Sequence, residues 1–185
     1  MKTGNRVLFW FRNHLSIHGN PALHNALGVC SELIPVFCFD PREIAVYPDS
    51  DKHELAANQL INKISVLRNQ LQNKGSNLLI VNNHYERIIP SLARVLSVNE
   101  VISDPLLTGN ETKLYHSIQF RNQKAQEVKS LLNMHSIPFN HYNQQHPLER
   151  MHSLFPGFPE INSGQLPSVH QFLGHESNSL RSVAC

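Results

Sequence analysis

The run Arg6–Leu23, RVLFWFRNHLSIHGNPAL, leaves little freedom to the fold. Val7 to Phe11 are all apolar and three of the five are aromatic. A strand with one face in water would show a polar residue at every second place. This one shows none, so both its faces are covered, as in a strand inside a parallel sheet. Polar and small residues follow from Arg12 to Gly19, and then a helix start. Asn20 can accept from the orphan N–H groups of the first turn, and Pro21 stands at the first helical position, where its missing N–H costs nothing. Leu23, Ala26, Leu27 and Cys30 recur at i, i+3, i+4 and i+7 and form one apolar stripe. The loop between such a strand and such a helix is where an open α/β sheet receives a ligand.

The rest of the chain repeats this alternation. Leu33–Phe39 is a second apolar run, ended by Asp40-Pro41; a proline cannot extend a strand, and it pushes Asp40 toward extended geometry. Residues 42–50 read as a loop. Asp51 and Glu54 have capping-box spacing ahead of a long helix that carries Leu60, Ile64, Leu67 and Leu71 and stops at Lys74-Gly75. Leu78–Val81 is a third strand. Asn83 with Glu86 marks a further helix start, and Pro90 predicts that this helix begins late or bends. Glu100–Ser103 gives a fourth strand, with Asp104-Pro105 and Thr108-Gly109-Asn110 marking the loop after it. A helix over 119–135 and a strand over Pro138–Tyr142 complete five strands. Right-handed crossovers make one arrangement economical: an α/β fold with a five-stranded, mostly parallel Rossmann-like sheet and helices on both faces. This domain is expected over residues 1–143. Residues 144–185, with four prolines among Gly, Ser, Asn and His, read as an irregular C-terminal tail.

Composition narrows the function classes. A chain of 185 residues suits one domain plus a tail. A net charge of +2 is too small for a nucleic-acid footprint. The three cysteines form no CxxC, and Cys30 and Cys38 fall inside apolar elements, so they pack as small hydrophobes in a reducing compartment. With no signal-like start and no run near the ~20 apolar residues that span a bilayer, a soluble intracellular protein without membrane contact is expected. His14 and His18 have a zinc-like spacing, but they lie in a loop without further ligand-type residues, and no metal is expected.

For chemistry, the first candidate is a dinucleotide, because Asp40 ends the second strand where a ribose-binding acid sits. The turn Arg12–Gly19 holds a single glycine, however, and no GxGxxG, so backbone N–H groups are not arranged for a pyrophosphate by that route. No GxxxxGK[ST], no GxSxG and no nucleophile–base pair is present. The residues alone give a sheet with a ligand-capable rim and no catalytic constellation. Arg12 and Asp40 are the polar candidates on that rim. Phe11 and Phe39, which end the first two strands, are candidates to stack on a flat ring, with core packing the competing role.

Three stretches in order resemble one family. Trp10–Leu23, WFRNHLSIHGNPAL, resembles the opening motif W-F-R-x-D-L-R-x-x-D-N-x-A-L of the photolyases and cryptochromes. Ile34–Glu43, IPVFCFDPRE, is similar to that family's second strand, which ends in F-D-P, and Leu67–Val81 to its following helix and third strand. The resemblance covers residues 6–142 and is nearest to the cryptochrome and DASH-type members. His14, Ser16 and Gly19 depart from it, standing where the pattern has Asp, Arg and Asp. The resemblance implies the family's N-terminal α/β domain, which holds an antenna pigment (a folate, a deazaflavin or a flavin) and passes excitation to FAD in a separate helical domain. It places Asn110 and Glu111 near the loop where family members hold the pigment. FAD itself, DNA binding and deoxyribodipyrimidine photolyase activity belong to the helical domain and are not expected of this chain alone. Other readings stay open: a chain without chromophore that binds a protein partner, or a second copy of itself, through the face a helical domain would cover; or a generic nucleotide-binding module.

Overall fold

The computed structural model describes residues 4–45, 50–104 and 115–141. Ten elements follow one another: β1 (Arg6–Phe11), α1 (Pro21–Val29), β2 (Glu32–Phe39), α2 (Arg42–Ala45), α3 (Ser50–Gln72), β3 (Leu79–Asn82), α4 (Tyr85–Val95), β4 (Glu100–Ser103), α5 (Tyr115–Met134) and β5 (Phe139–His141). The strands form one sheet in the order β3-β2-β1-β4-β5. Every neighbouring pair is parallel, Val7 facing Leu33 on one side and Glu100 on the other. The chain winds outward from β1 to β3, then returns past β1 to β4, so the direction of winding reverses between β1 and β4. A crevice opens at the carboxyl ends of the strands at such a reversal.

The alternation within β1 divides the core in two. Val7, Phe9 and Phe11 face one side and pack with Leu23 and Leu27 of α1 and Ile64 and Leu67 of α3. Leu8 and Trp10 face the other and pack with Tyr85 and Ile89 of α4 and Val128 and Leu132 of α5. Val7 to Phe11 of β1 are all fully buried, as an uninterrupted apolar run requires. Cys30 and Cys38 are buried thiols. Among the described residues, no helix is long and apolar enough to cross a membrane, and no group of three metal-ligating side chains is found.

Local signals explain most boundaries. Asn20 Oδ1 accepts from Leu23 N–H at 3.0 Å with Pro21 at the first helical place. α3 ends where Gly75 takes a left-handed φ of 75° and Ser76 N–H reaches back to the Leu71 carbonyl at 3.0 Å. α4 and α5 end the same way, but with Ser97 and Ser136 in the left-handed position, φ 50° and 56°.

Four expectations need correction. The stretch after Pro41 is not all loop: α2 forms because the Asp40 carboxylate and carbonyl accept from the N–H groups of Arg42 and Glu43, at 3.1 and 2.9 Å, so the Asp-Pro pair starts a helical turn instead of only stopping a strand. α4 does not start late, since it runs unbroken through Pro90, whose ring is buried on the core side. That packing offsets a mid-helix proline's cost of roughly 3 kcal/mol. Nor does Asn83 cap α4; His84 holds the cap position without a side-chain bond, and the acceptor comes from another strand, as described below. The N-terminal turn of α5 begins at Tyr115, four residues ahead of the predicted start. The tail predicted for residues 144–185, Tyr142, and the candidates Asn110 and Glu111 lie outside the described residues.

Candidate functional site

β2 and β4 flank β1 on either side, and each ends in an aspartate followed by proline. Asp104 follows β4 and is buried, 1% exposed. Its Oδ2 accepts from three successive backbone N–H groups of the β1–α1 loop, Arg12 at 2.9 Å, Asn13 at 2.9 Å and His14 at 3.1 Å. Its Oδ1 accepts from Asn20 Nδ2 at 3.0 Å. Successive N–H groups converging on one point make an anion nest, the feature with which many α/β proteins hold a phosphate. Here the chain's own carboxylate fills the nest and spans the crevice between β1 and β4. Asn20 completes the arrangement by donating also to the His14 carbonyl at 3.2 Å. The loop that carries His14, Ser16 and Gly19 is thus held by Asp104 and by its own backbone: His14 Nε2 meets the His18 carbonyl at 3.0 Å, and Gly19 takes φ 63°.

Asp40, fully buried, ends β2. It accepts from Arg42 Nε at 2.8 Å and Nη2 at 2.5 Å, and from Tyr85 N–H at 3.2 Å, so that it caps α4 across 45 residues of chain. Arg42 turns its other edge to Glu86, with two bonds of 2.8 and 2.7 Å. Partial burial works to raise the Glu86 carboxyl, but the Arg42 hydrogen bonds, its own amide and the nearby cations outweigh that and bring it to about 2. The same pairs, Asp40 first, raise the Arg42 guanidinium above its ordinary value. Beside them the Tyr85 hydroxyl donates to Glu43 at 2.5 Å, and Glu43 also pairs with Arg121 of α5. Burial, then the charge of Arg12, lowers Arg121 to about 10. The Tyr85 phenol is pushed up by its complete burial. α2 is therefore a strap: Arg42 and Glu43 fasten it to α4 and α5.

Arg12 differs from these. It is 5% exposed, its Cζ stands 5.2 Å over the Trp10 ring, and Nη2 donates to the Arg121 carbonyl at 2.8 Å. Burial lowers its pKa, against the fields of Tyr85 and Asp104. Phe11 and Phe39 are fully buried, each edge-on to a neighbour in its own strand, Phe9 at 4.7 Å and Phe37 at 4.9 Å. Of the sequence candidates, Arg12 and Asp40 thus share the carboxyl rim, with the two phenylalanines beneath it in the core. Asp104 was read only as a loop marker. Its signal was the Asp-Pro pair shared with β2, but its donors are backbone groups some 90 residues away, which no side-chain motif records.

These features define a class: an open α/β domain whose carboxyl rim is organised by two strand-terminal aspartates. The chain belongs to the DNA photolyase family, whose model matches residues 7–145. It is 32% identical over 141 residues to the blue-light photoreceptor PHR2 of Arabidopsis thaliana, covering 72% of this chain and 32% of that protein. It is 30% identical over 115 residues to cryptochrome DASH of Gloeobacter violaceus, covering 61% of this chain and 23% of the relative. Among solved structures, the Synechocystis sp. PCC6803 cryptochrome superposes with a TM-score of 0.60 at 24% identity, over 77% of this chain and 28% of that one. A Sulfolobus tokodaii photolyase, solved with two FAD molecules and described as implying a novel light-harvesting cofactor, superposes with a TM-score of 0.60 at 25% identity, over 75% and 29%. The chain spans about a third or less of the length of these relatives.

Proposed function

We propose that this chain is a light-harvesting module, which binds a folate, deazaflavin or flavin pigment at the carboxyl rim of its sheet and delivers excitation to a flavin held by a helical domain. The observation that carries the reading is the family match over the whole α/β domain, together with a sheet whose winding reverses beside β1. The Sulfolobus relative, described with a second FAD and a novel light-harvesting cofactor, supports a flavin among the three pigment classes. The filled nest bears on how such a pigment is held. Asp104 already satisfies the N–H groups of Arg12, Asn13 and His14, so a pyrophosphate gains nothing there, and a pigment is met elsewhere on the rim. Photoreception or DNA repair then requires a helical flavin-binding domain.

The test is the absorption spectrum of the purified chain. A band in the near ultraviolet or blue that copurifies with the protein, or a melting temperature that rises with added folate or flavin, is expected. A well-folded, colourless protein whose melting temperature is indifferent to all three pigment classes would refute the reading and favour a chromophore-free, partner-binding chain.

A further inference from the structure

The buried charges on the α4–α5 side of the rim do not balance locally. Asp40 and Glu86 hold Arg42, and Glu43 holds Arg121. Lys124 pairs with Glu127, and Asp104 spends its oxygens on backbone amides and Asn20. Among the described residues, Arg12 is left as a buried guanidinium that hydrogen-bonds to no carboxylate, its acceptor being the neutral Arg121 carbonyl. Arg12 Nη1, although it is buried, has no acceptor among the described residues, and the same holds for Nε1 of Trp10, the ring under that guanidinium. Buried N–H groups without a partner are rare, and an orphan pair in contact, one of them cationic, is rarer. Arg121, the next cation, lies near enough for the charge of Arg12 to be felt at its guanidinium. Asp104 acts on the Arg12 charge through its field, and the chemistry that two N–H donors beside such a cation ask for is an oxyanion.

We infer that Arg12 and Trp10 form a binding site for one small oxyanion, a phosphate or a carboxylate, which neutralises the Arg12 guanidinium. Its source is either a free anion or the anionic tail of a larger ligand. The site is separate from the nest filled by Asp104, although both involve Arg12: the nest uses its backbone N–H and the oxyanion site its side chain. The inference goes beyond the pigment reading, and its first arm needs no pigment.

The experiment uses the full chain and its single tryptophan, so that fluorescence excited at the indole edge reads the site alone. Inorganic phosphate is expected to change Trp10 fluorescence saturably and to raise the melting temperature, by about 5 °C or more at roughly a hundred times the dissociation constant. Arg12→Gln should abolish both responses. Where that variant does not fold, Trp10→Phe, followed by melting alone, should weaken phosphate binding several-fold. Riboflavin and FMN, the same ring without and with a phosphate, then distinguish the sources. FMN binding at least tenfold tighter than riboflavin assigns the site to a ligand's tail; equal binding beside a phosphate response assigns it to a free anion. A chain indifferent to phosphate that also binds FMN and riboflavin equally overturns the inference, as does a phosphate response that survives in the variants. Loss of all pigment binding with the phosphate response intact would refute the proposed function and leave this site standing.

Discussion

The ends of β2 and β4 carry the same dipeptide, Asp-Pro, on either side of the same central strand, and they use it in opposite ways. Asp40 is mainly an ion-pair residue: its carboxylate grips the Arg42 guanidinium, which in turn holds Glu86, and two backbone amides, of Arg42 in α2 and Tyr85 in α4, complete the set. Asp104 is an amide acceptor that binds three consecutive N–H groups and one Asn side chain. The first side of the rim is built from charge against charge, and its partners are side chains that can move. The second is built from charge against backbone, and its geometry fixes the loop. Equal sequence at equivalent places in a sheet does not imply equal physics, because the partners come from other elements.

The comparison can be broken by replacing each acid with its isostere. In Asp104→Asn, whichever way the amide is turned, its NH2 faces either the three backbone donors or Asn20 Nδ2. We expect a loss of about 3–4 kcal/mol in denaturant unfolding, with faster hydrogen exchange at Arg12, Asn13 and His14. Asp40→Asn keeps an acceptor for only one of the Arg42 and Tyr85 backbone amides, but it leaves the Arg42 guanidinium paired with Glu86, so about 2 kcal/mol is expected. Equal losses at the two positions would contradict the distinction drawn between them.

The ion-paired side should also titrate. The Glu86 carboxyl lies lower in the folded chain than in the unfolded one, at about 2 against 4.5. Its contribution is therefore complete above about pH 4.5 and fades as the pH falls toward 2. Because Glu86 and Arg42 are partly open to solvent, Glu86→Gln should cost only about 1 kcal/mol near neutral pH. The gap between variant and wild type should close on acidification, and a gap that is flat from pH 7 to pH 2.5 would exclude the pair as its cause. The smallest effect lies far from the rim. Ser136 ends α5 with φ 56°, where a glycine carries no Cβ penalty. Ser136→Gly should stabilise by about 0.5–1 kcal/mol, a rise of a few degrees in melting temperature.

Much of this fold was legible because burial leaves a periodic trace. Apolar runs located β1, β2 and β3, the strand–helix alternation placed β4 and β5, and the unbroken run Val7–Phe11 required the two-sided core in which Phe9 and Trp10 face opposite helix layers. The corrections share one cause: each depends on a partner distant in the chain. α2 and the start of α4 are both set by Asp40, and Pro90 is tolerated through its packing against the core. At the site, Arg12 and Asp40 could be placed on the rim because strand ends can be counted. That Phe11 and Phe39 lie wholly under cover depends on the neighbouring layers, and the role of Asp104 depends on amides that carry no residue identity.

The central claim is that this rim holds a pigment while its phosphate nest is closed by the protein's own Asp104. A melting titration of the full chain with FMN, a reduced folate, a deazaflavin and NAD tests it most directly. The account predicts a melting temperature that climbs with at least one of the three pigments and stays level with NAD. Stabilisation by NAD, or by none of the four, would contradict it.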